Sequence, residues 1–408
     1  MDIKNNNNNN NSSILSRILN IKKMVSDANL ESINPLKTMD NVDTEFYEGY
    51  NKNNNNRDHK SLDSRTVLGK KTLNFYNIIN RLNSKLIYIK SGAYGNTFKG
   101  IVADDDDNEI MSFAVKVVAY PKKDGYGSLF NITRPENAEI CMLKLLSYFV
   151  VKCQTPHLIL PISTFNTSIK PFLTLQDDEI VAKDNEKYTE FIKNYNNDMY
   201  YETVSVVISE WANRGDLSMF LRKHFAKLEL IHWQCIFFQI ISTLAVIQSK
   251  YPSFRHNDLK ANNILISKTD RCNKKLLYKV NKKEYILPAI GYCIYLWDFD
   301  FACIPNVVEN VKVYQPWTKK INITSAKNRY YDIHYFFCTL IFKGFLPELM
   351  TSKSVPKEVK QFINYVIPEE YRPGHESGKV NKRCRLQVDD ELYKPIDLLD
   401  HPFFSQFQ

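Results

Sequence analysis

The run His256-Asn-Asp-Leu-Lys-Ala-Asn-Asn-Ile-Leu265 gathers an acid, a cation and an amide within a few residues. Leu296-Trp-Asp-Phe-Asp-Phe301 adds a second acid thirty-five residues after Asn263. Short apolar stretches around Ile264 and Tyr295 read as strands, which puts these polar groups at strand ends. Asp258 can orient and deprotonate a hydroxyl, and Lys260 can neutralise charge on a group in transfer. The oxygens of Asn263 and Asp298 are the hard ligands that Mg²⁺ takes beside nucleotide phosphates.

A second set lies upstream. Phe113-Ala-Val-Lys116 places a lysine inside an apolar strand, where an unpartnered ammonium is costly. Glu139, in the helical stretch Ala138-Glu-Ile-Cys-Met-Leu143, is the first candidate to pair with it and hold it toward a phosphate; Glu136 is the second. Twenty-one residues before Lys116, Gly95 follows Gly92 between two strand patterns, where absent side chains would let backbone N–H groups approach a phosphate. Taken singly, each of these residues has an ordinary explanation as a turn, a cap or a surface charge. Their joint order and spacing do not.

Taken together, the glycine loop, strand lysine, helix glutamate, HxDLKxxN loop and acid-Phe motif resemble the protein-kinase superfamily, in its order, from about Leu86 to Phe404. The resemblance implies an α+β, bilobal, protein-kinase-like fold that transfers the γ-phosphoryl group of ATP to protein Ser/Thr hydroxyls, Lys260 implying that specificity. ATP and Mg²⁺ are the implied cofactors. In Ser209-Glu-Trp-Ala-Asn-Arg-Gly-Asp216, which resembles a kinase hinge, Glu210 and Ala212 would meet adenine through their backbone and Asp216 would bind ribose. Asp332 resembles the helix aspartate that braces the catalytic loop. HxDLKxxNIL, a long insert, DFDF and YYDxHxF together are similar to the poxvirus-type virion kinases of large DNA viruses.

The sequence also departs from the superfamily pattern. Lys90 stands at the usual first loop glycine and Thr97 at the usual valine. Asn257 replaces an arginine that normally pairs with a phosphorylated segment, so residues 298–332 are expected to be ordered by other contacts. Asp300 replaces a hinge glycine and adds a negative charge near the metal ligand. Asn257 is shared with choline- and aminoglycoside-type kinases, which makes a small-molecule kinase the runner-up. A pseudokinase scaffold is the non-enzymatic alternative, although none of Lys116, Asp258, Asn263 and Asp298 is lost.

These residues need two kinds of element to position them. Strand patterns at Leu86–Ile89, Thr97–Val102, Ser112–Val118, Leu158–Phe165 and Val204–Trp211 precede helical patterns at Ile231–Lys250 and Tyr330–Lys343, with a helix at Arg134–Val151 among the strands. The expected domains are a low-complexity, Asn-rich, disordered tail at 1–71, an N-lobe at 72–212 with a polar insert at 166–202, and a C-lobe at 213–408 with an insert at 267–291. Within the tail, Ile14 to Met24 has the period of a short amphipathic helix. Asp104 to Asp107 reads as a solvated turn.

Composition bounds the remaining classes. With 408 residues, 44% of them hydrophobic and 24% charged, the chain is long enough to bury its own core, and collagen-like or wholly disordered classes are excluded. The apolar run Ile236–Ile247 falls short of a bilayer span. Eight scattered cysteines, with no CxxC pair, read as reduced thiols, and a start without an apolar leader fits a cytoplasmic setting. For a viral chain that is the host cytoplasm; packaging in a virion would rest on the resemblance alone. The net charge of +9 is a mild bias, and the lysine-rich stretch 274–283 lacks the aromatic interleaving of a nucleic-acid surface. Protein substrates are the expected partners, no nucleic acid is expected, and the pattern specifies no oligomer.

Overall fold

A computed structural model describes residues 9–33, 63–92, 95–269, 275–342 and 344–408. They form two compact units, one of Arg17–Ser147 with Leu160–Trp211, the other of Met1–Ser16, Tyr148–Ile159 and Ala212–Gln408.

The first unit is built on a sheet. Its strands are β1 (Lys71–Thr72), β2 (Ser84–Ser91), β3 (Gly95–Ala103), β4 (Glu109–Pro121), β5 (Pro161–Ser168) and β6 (Tyr200–Glu210), in the order β1-β5-β6-β4-β3-β2. All neighbours are antiparallel except β1 and β5. Alternation decides the faces: Val115 and Val117 are fully buried while Lys116 between them is not. At Gly100 of β3 a Cβ would lie 2.2 Å from the Phe113 ring, so only glycine admits that ring into the core.

Helices α1 (Asn9–Asp27), α2 (Ser64–Val67), α3 (Phe75–Arg81), α4 (Pro135–Val151) and α5 (Glu186–Asn196) accompany this sheet, α1 and α4 continuing into residues of the other unit. The disordered tail expected at 1–71 is corrected over 9–33 and 63–71. Ile18, Ile21 and Met24 of α1 and then Ala28, Leu30 and Ile33 are buried, and the Ile33 amide donates to Ile162 O at 3.1 Å. Helical period, not average polarity, was the informative signal. The rest of that expectation lies outside the described residues.

The polar insert at 166–202 is likewise built, not looped. It buries Ile169, Phe172, Leu175, Val181, Tyr188 and Phe191, and the Tyr188 hydroxyl donates to Phe172 O at 2.5 Å. Asp104 accepts from the amides of Asp106 and Asn108, as expected of a turn.

The second unit is mainly helical: α6 (Leu217–His224), α7 (Leu230–Lys250), α8 (Pro316–Lys320), α9 (Tyr331–Phe342), α10 (Lys357–Val366) and α11 (Pro395–Leu398). Every residue of α7 from Trp233 to Gln248 is buried. Phe237 meets Phe337 edge-on at 4.9 Å, and Phe362 stacks on Phe403 at 4.5 Å. Among the described residues α7 is the one helix long and apolar enough to cross a membrane, but 83% of that window lies inside the protein.

Two small antiparallel pairs complete this unit. β7 (Ile264–Lys268) pairs with β10 (Tyr292–Leu296), and β8 (Lys275–Val280) with β9 (Lys283–Pro288). Within the insert expected at 267–291, residues 275–288 form a hairpin turning at Asn281 and Lys282 with φ of 49° and 70°, the left-handed pair of a type I′ turn. Tyr278 and Tyr285 face inward onto Phe238 of α7. All seven described cysteines are free thiols.

Candidate active site

In the sheet unit, Lys116 Nζ donates to Glu139 Oε1 at 2.6 Å, with the two side chains 17% and 5% exposed. β4 presents the lysine opposite Thr97 and Val207, and α4 presents the acid. A buried carboxylate needs such a partner, so each residue holds the other in place. Glu136 is instead bound by Arg134 at 3.1 Å.

At Gly95 a Cβ would lie 3.0 Å from Val117 O, a tight contact with backbone that disfavours a side chain there. At Gly92 a Cβ would meet only ordinary contact. The Gly92 amide donates to Gly95 O at 2.7 Å, so in this structure it closes the turn and does not point outward. Asn96 anchors the strand that follows, accepting from Ser91 Oγ at 2.6 Å.

In the helical unit, the loop His256–Asn263 is organised from beneath. The carboxylate of Asp332, fully buried on α9, accepts from the His256 and Asn257 amides at 2.7 and 2.9 Å. Burial raises the Asp332 pKa, while His256, Arg255 and these two amides oppose the rise. His256 bonds Trp297 O at 3.0 Å and packs on Phe299, contacts that fit a structural post.

The loop then turns Asp258 into a crowded polar setting. Its Oδ2 accepts from Lys260 Nζ at 2.8 Å and from Asn263 Nδ2 at 3.1 Å, and its Oδ1 from Arg385 at 3.0 Å. Asn263 Nδ2 also reaches Asp258 O at 2.9 Å, which commits the amide nitrogen to the loop and orients the amide oxygen away from it. The Trp297 amide donates to Asn263 O at 3.1 Å, so the chain enters Asp298 directly beside Asn263. Asp298 itself takes φ of 62°, a left-handed turn that re-aims its side chain. An amide oxygen and a carboxylate, the side-chain oxygens of Asn263 and Asp298, are chemically a hard donor set of the kind Mg²⁺ takes.

Side-chain contacts tie residues 298–332 to the loop that carries Asn257. Asn257 Nδ2 donates to Phe301 O and Thr324 O, both at 3.1 Å, and Arg255 reaches Thr324 Oγ1 at 2.9 Å and Ala326 O at 3.2 Å. Asp300 is paired with the buried Lys312, which offsets the negative charge it would otherwise add near Asp298.

Of the hinge-like residues, Glu210 donates its amide to Leu160 O at 3.1 Å. Ala212 is buried at the start of the helical unit. Asp216 caps α6, accepting from the Met219 amide at 2.9 Å. Sequence reasoning missed Arg17, Lys312 and Arg385. Neither Arg17 nor Arg385 stands in a recognisable motif, and only the Asp300 departure signalled a need for a cation such as Lys312.

Residues 128–372 match the poxvirus serine/threonine protein kinase family. The chain is similar to the Acanthamoeba polyphaga mimivirus protein named "Putative serine/threonine-protein kinase R400", at 48% identity over 331 residues, covering 79% of this chain and 69% of that protein. It is also similar to "Putative serine/threonine-protein kinase R301" of the same virus, at 36% identity over 134 residues, covering 32% of this chain and 34% of that protein.

Proposed function

We propose, from the premise that this chain belongs to the poxvirus serine/threonine protein kinase family and is a serine/threonine protein kinase, that it uses ATP with Mg²⁺ and that the residues described above divide the work. Lys116, held by Glu139, contacts the α/β-phosphates. Asn263 and Asp298 hold Mg²⁺, which when bound neutralises phosphate charge. Asp258 orients the acceptor hydroxyl and takes its proton as the oxygen attacks the γ-phosphorus; the bond to the bridging oxygen breaks and ADP leaves with the electron pair. Lys260 offsets charge on the phosphoryl group in transfer.

The observation that carries this reading is the double role of Asn263, whose amide nitrogen fixes Asp258 while its backbone oxygen receives the Trp297 amide next to Asp298. One residue thereby ties the base to the metal ligands. Hinge contacts from Glu210 and Ala212 and a ribose contact from Asp216 complete the proposal; a phosphate contact from the turn at Gly92 and Gly95 would require the Gly92 amide to leave Gly95 O.

The test is transfer from labelled ATP to a protein acceptor by purified Asp298→Asn and Asp258→Asn variants. Both should fall by at least about a hundredfold while keeping a cooperative melt. Turnover near the parent level in either variant would refute that residue's role.

A further inference from the structure

Arg385 lies beyond the residues that match the family, in a polar stretch with no motif. Its surroundings show how it is delivered. The Arg385 amide donates to Asn381 Oδ1 at 3.1 Å, the Asn381 amide donates to Arg385 O at 3.0 Å, and the Gln387 amide donates to Lys379 O at 2.7 Å. Cys384 adopts φ of 60° and Val380 bridges Leu386, so residues 379–387 fold back as a tight loop. The loop drives the guanidinium inward, where its side chain is 6% exposed.

There it makes a set of directed contacts. One terminal nitrogen donates to Asn257 O at 2.5 Å and to the Tyr331 hydroxyl at 2.9 Å; the other donates to Asp258 Oδ1 at 3.0 Å. Its flat face lies 4.2 Å from the centre of the Tyr335 ring. Burial alone would lower its pKa, but Tyr331, Tyr335 and Asp258 more than offset that and the net shift is upward, so the cation is permanent.

We propose that Arg385 is a positioning residue for the Asp258 carboxylate, an inference that rests on Asp258 as the base. Lys260 and Asn263 hold only Oδ2. A carboxylate gripped through one oxygen can rotate about its Cβ–Cγ bond; gripped through both, it cannot. Oδ1 accepts one hydrogen bond from Arg385 and keeps a lone pair for the acceptor hydroxyl. The fork of the guanidinium also ties the base to the Asn257 carbonyl, so the orientation of Asp258 follows the loop backbone. A ring-stacked, planar cation suits this task, and a lysine in its place would not reach all three acceptors.

Arg385→Gln and Arg385→Ala are compared with Asp258→Asn in the full-length chain, with labelled ATP, Mg²⁺ and dephosphorylated casein as the acceptor probe. Both Arg385 variants should lose about 10- to 100-fold in kcat with KM for ATP within about twofold of the parent, because the loss is one of orientation. Millimolar methylguanidinium should restore several-fold turnover to Arg385→Ala and none to Asp258→Asn; methylammonium should restore none. A purely structural Arg385 predicts a loss that tracks the folded fraction in thermal melts and is insensitive to methylguanidinium, and that result overturns the proposal, as does a kcat within twofold of the parent in both variants. An active Asp258→Asn would instead remove the reading of Asp258 as base, whereas an inactive Asp258→Asn beside fully active Arg385→Gln and Arg385→Ala removes only the role of Arg385.

Discussion

Arg17 grips Glu210 with two parallel hydrogen bonds, Nε to Oε1 at 2.8 Å and the terminal nitrogen to Oε2 at 2.7 Å. Glu210 Oε2 also accepts from the Leu160 amide at 2.8 Å, so α1, β6 and the residue that leads into β5 meet at one part-buried carboxylate. A planar fork on a carboxylate is a strong and specific arrangement. Arg17→Ala leaves that carboxylate with a single amide donor and should cost about 1–3 kcal/mol. Deleting residues 1–70 removes in addition the buried Ile18, Ile21 and Met24, each contributing about 1.5–3 kcal/mol, and Lys70. Thermal melts should show a moderate drop for Arg17→Ala and a collapse for the deletion; a deletion that melts like the parent would refute the packing role of α1.

Lys70 is 2% exposed and donates to the Tyr120 hydroxyl at 2.7 Å, Asn137 Oδ1 at 3.0 Å and Ser205 Oγ at 2.7 Å. Burial pushes its pKa down to about 7, against opposing pulls from Glu136, Cys141 and Glu139. Its folded pKa lies below the unfolded value, so between about pH 7 and pH 10.5 the unfolded chain binds more protons and stability rises with pH. Below about pH 7 the ammonium is charged in both states and the burial penalty is constant. Urea unfolding of the parent relative to Lys70→Met should therefore show stability rising from pH 7 to 9 at up to about 1.4 kcal/mol per pH unit. Parallel profiles would contradict the assignment.

Asp332→Ala strips the His256 and Asn257 amides of their acceptor in a fully buried place. Each orphaned donor costs about 1–3 kcal/mol, and the loop carrying Asp258 loses its support. Both the unfolding midpoint and kcat should fall, with KM for ATP changing less. Unchanged turnover in a well-folded Asp332→Ala would mean that the loop is held by something else.

Gly100→Ala places a methyl against the Phe113 ring, within the core of the sheet. Overpacking of this kind costs about 1–3 kcal/mol. Gly92→Ala meets nothing closer than 3.6 Å and should be tolerated far better. Denaturant midpoints for the pair should differ in that direction; equal midpoints would show that the sheet relaxes around the added methyl.

Lys116→Met is a cleaner test of the lysine when combined with Glu139→Gln. The single variant removes the ammonium that Lys116 places 2.6 Å from a carboxylate only 5% exposed. The double variant should recover stability relative to Lys116→Met and remain inactive, which a phosphorylation assay beside a thermal melt would register.

Much of the fold and the chemistry of this protein is local. Two-residue alternation marks β4 and places Lys116 off the buried face, 3.6-residue period marks α4, α7 and α9, and the short run from His256 to Leu265 carries its acid, cation and amide together. Even α1 is legible as the helical period of Ile14 to Met24, although the polar composition around it does not show that this face is buried. What the chain alone could not decide were encounters between residues far apart: Arg17 with Glu210, Lys312 with Asp300, and Arg385 with Asp258. A solitary arginine in a polar stretch carries no period and no spacing rule. Whether it ends in solvent or against a carboxylate depends on how loops such as 379–387 close, and that is settled only when the whole unit packs.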